Sequence, residues 1–159
     1  MSLIPGKYQH YKNENIDEYL VAVGVPYMGR KIISMSSPTI EITRDGDTMG
    51  VKNHTMLFNI ESKFKIGEEY DEKMPRQTLK SKTTVINDHE METVSLNPSD
   101  GLKNTRRYLF TEDECVIVSE TYLSNVPIWE RVWLSGKPSD FRTDIPGFKS
   151  HSTMHQDSS

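Results

Sequence analysis

The sequence predicts an all-β fold, a sandwich or a barrel, with two short helices inserted after the first strand. Three observations carry this. From Thr39 onward, runs rich in β-branched and aromatic residues recur at short intervals, separated by turn chemistry such as Asn87-Asp88 and Asn97-Pro98-Ser99-Asp100-Gly101. Between residues 15 and 36 the apolar spacing is helical instead. And several strands are polar on both faces: Lys80, Lys82 and Thr84 alternate with Ser81, Thr83 and Val85. A solid core disfavours such a strand, whereas a barrel with a partly wet interior accommodates it.

Taken in order, Gly6-Lys7-Tyr8-Gln9-His10-Tyr11 reads as a first strand. Asn13-Glu14-Asn15 supplies helix caps, and Ile16, Tyr19, Leu20 and Val23 follow at helical spacing up to Gly24. Pro26 suits the first turn of a second helix carrying Tyr27, Met28, Ile32, Ile33 and Met35, with Arg30 and Lys31 on its polar side. Pro38 stops it. Strands are expected over 39–43, 51–58, 63–66, 79–86, 90–96, 105–110, 115–122 and 128–134, with Arg44-Asp45-Gly46-Asp47 as a turn. Glu68-Glu69 and Glu112-Asp113-Glu114 read as solvated turns. After Gly136 the chain is short of aliphatics and rich in Ser, Asp, Pro and His, so residues 1–136 are expected to form the domain and 137–159 a polar, disordered tail.

The chain has 159 residues, enough for one domain with a core. Its 19 basic and 23 acidic residues leave a net charge of −4, which gives no support for nucleic-acid binding. The single cysteine, Cys115, excludes an intramolecular disulfide and a cysteine-based zinc site. Set in an apolar strand without a basic neighbour, it reads as a small buried hydrophobe. His151 and His155 are four apart but lack further ligands, so no metal is expected. No secretory signal and no membrane-spanning run is legible, which suggests a cytoplasmic protein. No glycine-rich phosphate loop and no catalytic constellation stands out. The expectation is a binding protein, without cofactor, rather than an enzyme.

One stretch points to a ligand. In Ile128-Trp129-Glu130-Arg131-Val132-Trp133-Leu134, a two-residue period puts Arg131 on one face with Trp129 and Trp133. Arginine is rarely buried alone, and its fork fits a carboxylate. An arginine on an aromatic strand face suits an anionic group with an apolar body.

The chain resembles the intracellular lipid-binding proteins, the cytosolic fatty-acid-binding and cellular retinoid-binding proteins. The resemblance runs over about residues 4–135. It is carried by Gly6-Lys7-Tyr8, Asn15-Ile16-Asp17-Glu18-Tyr19-Leu20, Gly24-Val25 with Arg30-Lys31, and Ser37-Pro38-Thr39. It continues through Asp45-Gly46-Asp47, Phe64-Lys65-Ile66-Gly67-Glu68-Glu69-Tyr70-Asp71-Glu72, Lys80-Ser81 and the closing Arg131-Val132-Trp133.

The resemblance implies a flattened ten-stranded antiparallel up-and-down barrel around a cavity, a calycin fold capped by two short helices. It implies a monomer that carries long-chain fatty acids or similar hydrophobic carboxylic acids in the cytoplasm. The family holds the ligand carboxylate with two arginines and a tyrosine. One arginine carries onto Arg131 and the other onto Arg106 or Arg107. Adjacent residues face opposite sides, so one of the two points inward. Arg107 needs the smaller insertion before Cys115 and is the expected one, although Arg106 would put Tyr108 and Phe110 on its own face. Trp133 replaces the tyrosine, so an indole N–H, donor only, stands for a phenol. The resemblance places the cavity and its portal at Tyr19, Val25, Met28, Arg30, Lys31, Ile32 and Phe58, with Arg30 and Lys31 positioned for transient contact with anionic membranes. The departures leave two other readings: a carrier of a retinoid or another hydrophobic acid, and an interaction module with a reduced cavity.

Overall fold

The computed structural model describes residues 2–22, 25–55, 58–74, 77–99, 101–123 and 148–156. Twelve elements follow in the order β1 (Gly6–Glu14), α1 (Ile16–Ala22), α2 (Tyr27–Met35), β2 (Thr39–Asp45), β3 (Thr48–His54), β4 (Asn59–Lys65), β5 (Glu69–Lys73), β6 (Thr78–Asn87), β7 (Glu90–Leu96), β8 (Leu102–Phe110), β9 (Glu114–Leu123) and β10 (Phe148–Gln156). The strands form one ten-stranded sheet in the order β4-β3-β2-β1-β10-β9-β8-β7-β6-β5. Every pairing in it is antiparallel. The sheet rolls into a barrel, and its two edges, β4 and β5, meet through side chains: the Phe64 and Tyr70 rings stack at 4.1 Å, nearly parallel.

Local chemistry sets the corners. Asp45 pairs with Thr48 across a two-residue hairpin, and Gly46 there takes φ +59°. A side chain disfavours that left-handed conformation, which is why a glycine serves. Asn15, between β1 and α1, is the one non-glycine described at positive φ, +55°; asparagine tolerates this region better than most residues. Its carbonyl accepts from the Tyr19 N–H and so starts α1. The α2 helix ends at Ser36, whose N–H and hydroxyl both donate to the Ile33 carbonyl, ahead of Pro38.

The period of two decides the interior. In β2, Ile40 and Ile42 face inward, and in β8 Tyr108 and Phe110 do. With Ile4, Tyr8, Met49, Phe64, Met91, Cys115, Ile117 and Met154 they make an apolar core. The interior wall on β5 to β8 is different. Glu72, Ser81, Thr83, Thr93 and Ser95 are buried there. This is the polar double face legible in the sequence, turned partly to the inside. Asn59-Ile60-Glu61, outside the expected strands, begins β4 in pairing with β3.

One expectation is corrected. Residues 148–156 lie in what reads as a disordered tail, yet they form β10 between β1 and β9. Strand edges carry unpaired N–H and C=O groups that a closing strand satisfies. Met154 gives this polar segment an inward anchor, 3% exposed and in register with Cys115 and His10. The expected strand at 128–134 lies outside the described residues. Cys115 is buried as expected, and burial pushes its thiol up to about 12.

The cap is asymmetric. The α1 helix packs on β9, β10 and α2 and buries Leu20. The α2 helix buries no residue.

Candidate functional site

Arg106 and Arg107 are neighbours in β8 and face opposite ways. Arg106 lies opposite the buried Thr93 of β7, and Arg107 opposite Glu92. The side chain of Arg106 is 19% exposed and that of Arg107 53%. Outside the barrel, Arg107 approaches Glu90 at 3.4 Å and Glu92 at 3.6 Å. The inward arginine is therefore Arg106, which corrects the preference for Arg107. Tyr108 and Phe110 are the reason: both need burial and, at i+2 and i+4, share the face of Arg106. That outweighs the length of the following hairpin.

Inside, Arg106 donates from Nη2 to Glu72 Oε1 at 2.5 Å and to Ser95 Oγ at 2.9 Å. Ser81 and Ser95 donate to the same carboxylate oxygen at 3.1 and 3.3 Å. Tyr70 and Thr83 share a hydrogen bond at 3.0 Å, and Thr83 another with Thr93 at 2.7 Å. The Nε of Arg106 is buried and has no hydrogen-bond partner among the described residues.

The electrostatics follow from this packing. Burial pulls the Glu72 carboxyl upward, but the Arg106 charge and the hydrogen bonds from Arg106, Ser81 and Ser95 prevail and hold it below its ordinary value. Burial works against the Arg106 charge, yet the net direction is upward, with Tyr108 and Glu72 the main opposing groups. Burial raises the Tyr70 phenol to about 12.

The gap beside this pair is narrow, with a cavity volume of about 10 Å³, close to what one water needs, and it is partly open to solvent. Val51, Phe64, Tyr70, Met91 and Tyr108 give it apolar walls, while Asn53, Ser62, Glu72, Thr93 and Arg106 supply polar groups. Chemically it sets apolar walls beside an acceptor position at Arg106 Nε, and an acyl chain enters only when the surrounding side chains move apart.

The cap reaches the same region. Tyr19 of α1 hydrogen-bonds with Asn104 Nδ2 of β8, and Asn104 also donates to the Glu120 carbonyl at 3.1 Å. Val25 is half-buried, and its carbonyl accepts from Arg30 Nη1 at 3.0 Å. Arg30 Nε also pairs with Asp17 at 3.1 Å, and its guanidinium lies over the Tyr27 ring. Met28, Ile32 and Phe58 are exposed, Met28 at 67%, and so is Lys31. Arg131 and Trp133, the other expected ligand residues, lie outside the described residues. The structure thus brings Tyr19 towards Arg106 and leaves Met28, Lys31 and Ile32 on the outer surface of α2.

Glu72, Ser81 and Ser95 were not legible as site residues, because Glu72 closes an acidic segment, 67–72, that falls outside the expected strands. The available signal was alternation: Tyr70 and Glu72 share one strand face, as do Ser81 and Thr83.

A helix-capped ten-stranded barrel with an arginine held inside is the architecture of the lipid-cavity β-barrels. The chain belongs to the Lipocalin / cytosolic fatty-acid binding protein family, whose model matches residues 5–91. A fatty acid-binding protein 12 of Mus musculus is 31% identical over 123 residues, covering 77% of this chain and 90% of that protein. A fatty acid-binding protein of Tyrophagus putrescentiae is 39% identical over 72 residues, 45% of this chain and 55% of that protein. Among solved structures, a Schistosoma mansoni fatty acid binding protein in complex with arachidonic acid aligns with a TM-score of 0.74. The alignment spans 99% of this chain and 98% of that one at 20% identity, so this likeness concerns the fold.

Proposed function

We propose that the protein is a non-enzymatic, monomeric cytoplasmic carrier of long-chain fatty acids, held non-covalently in the barrel cavity. The observation that carries this reading is the buried Nε of Arg106, unpartnered among the described residues and next to apolar walls. An acyl chain gains about 0.8 kcal/mol for each methylene withdrawn from water, so the chain supplies most of the affinity. Its carboxylate accepts from Arg106, which offsets the cost of burying the charge. Following the resemblance, Arg131 and the Trp133 indole N–H are the further donors.

The same reading makes α1 and α2 the lid of the portal, with Val25, Met28, Ile32 and Phe58 at its rim. Lys31 then meets anionic membrane surfaces during transfer, while Arg30 is already engaged by Asp17. Native mass spectrometry of the purified full chain, followed by titration with oleate, tests this. A co-purified lipid or saturable oleate binding supports the carrier. A folded protein that binds no fatty acid overturns it in favour of an interaction module.

A further inference from the structure

We infer that Tyr108 is a further ligand-binding residue: its phenol O–H donates to the same head-group oxygen that accepts from Arg106 Nε. This rests on the reading of the cavity as a fatty-acid site. It adds to the Arg131 and Trp133 donors of that reading and draws on neither.

Three phenols gather around Arg106, and two are already engaged. Tyr19 of α1 is held by Asn104 and Ser119. Tyr70 of β5 shares its hydroxyl with Thr83. Tyr108 differs. It lies two residues beyond Arg106 in β8, on the same inward face, and is 6% exposed. Its ring lies nearly parallel to that of Phe110, with centroids 6.4 Å apart. Its hydroxyl stands close enough to the Arg106 guanidinium for a hydrogen bond and the positive charge to bear on it. A guanidinium only donates, so the phenol oxygen is the acceptor in that contact. The phenol's own proton meets no acceptor among the described residues. Glu72 Oε1 already accepts from Arg106, Ser81 and Ser95. Burial raises the Tyr108 pKa against the pull of the Arg106 charge, so the proton stays on at neutral pH.

Arg106 Nε and the Tyr108 O–H are thus two unspent donors on one gap. The cavity volume there, about 10 Å³, is close to what a single oxygen-sized group fills. A buried donor without an acceptor costs free energy, and one oxygen with two lone pairs satisfies both donors. A carboxylate oxygen makes both bonds stronger than an alcohol does, because it is charged. Val51, Phe64 and Met91 line the same gap, so that oxygen enters with an apolar body behind it. The second carboxylate oxygen is left to Arg131 and Trp133.

Titration calorimetry of the full chain and of Tyr108→Phe, with decanoic acid and with decanol at neutral pH, tests this. Phenylalanine keeps the ring beside Phe110 and deletes only the hydroxyl. The acid should bind Tyr108→Phe about tenfold more weakly, and decanol no more than about threefold more weakly, since a bond to a charged acceptor is the stronger. Infrared difference spectra of the bound acid separate contact from packing. The carboxylate stretching bands should move in Tyr108→Phe while the methylene bands stay. Should Tyr108→Phe not fold, Arg106→Gln/Tyr108→Phe is compared with Arg106→Gln in the same way, and a further loss for the acid with moved carboxylate bands is the supporting result. Equal acid affinity in wild type and a folded variant overturns the inference and leaves the carrier intact. So does a weaker variant whose carboxylate bands are unmoved, because the hydroxyl then acts through packing alone. Wild type that binds neither ligand overturns both.

Discussion

Two adjacent arginines have opposite roles here, and single substitutions separate them. Arg106→Gln removes an inward charge-assisted donor worth about 1.5–3 kcal/mol, so fatty-acid affinity should fall about ten- to a hundred-fold. Arg107→Gln removes an exposed ion pair worth about 0–1 kcal/mol, and affinity should be unchanged. Calorimetry on both variants checks this, and equal losses would refute the assignment. Glu72 makes stability depend on pH. Its folded value is depressed, so its stabilising contribution is present above the unfolded value, 4.5, and is lost as pH falls through the folded value. Thermal melts should show wild type losing stability below about pH 4.5 more steeply than Glu72→Gln/Arg106→Gln. Parallel curves would show that the buried pair carries no such linkage.

At the scale of elements, β10 is the decisive strand, since it closes the ring between β1 and β9. Truncation after Gly136 removes it and leaves two central edges unpaired. The tail reading expects almost no effect, whereas the structure expects a lowered melting temperature and a tendency to aggregate. A gentler probe is Met154→Ala, which empties a buried site and should cost about 2–5 kcal/mol, or roughly 5–15 °C in melting temperature. A shift within about 1 °C would mean that this segment does not close the barrel. The helices behave differently. The α2 helix contributes nothing to the core, so Met28→Ser with Ile32→Ser should leave the melting temperature within a few degrees and slow lipid transfer to vesicles. Unchanged transfer rates, measured by fluorescence, would remove α2 from the portal.

At the scale of the molecule, the interior is divided. Part of it is an apolar cluster that includes Tyr8, Met49, Met91, Phe110, Cys115 and Met154 and supplies the hydrophobic driving force. The wall on β5 to β8 is lined by hydroxyls and one ion pair, which costs stability that a solid core would provide. That division fits a protein whose cavity serves a ligand better than it serves folding. Ligand binding to the native state should therefore stabilise it by mass action, about 2.7 kcal/mol at a hundredfold excess over Kd. Thermal melts with and without oleate read this directly, and no shift at saturating lipid would contradict a cavity site.

Local chemistry determined much of this protein. The helix starts at Asn15 and Pro26, the stop before Pro38, the Gly46 hairpin and the inward Ile40 and Ile42 all follow from short-range sterics and a period of two. The family resemblance added the barrel and the two-helix cap. Register and long-range partners were beyond local chemistry. Arg106 faces inward because Tyr108 and Phe110 must, and Glu72 became its partner because strands 34 residues apart in sequence meet across the cavity. The polar segment 148–156 became a strand because β1 and β9 presented edges that only a distant part of the chain could satisfy. Periodicity reports which residues share a face. Which face turns inward, and what waits there, depends on groups brought together when the sheet closes.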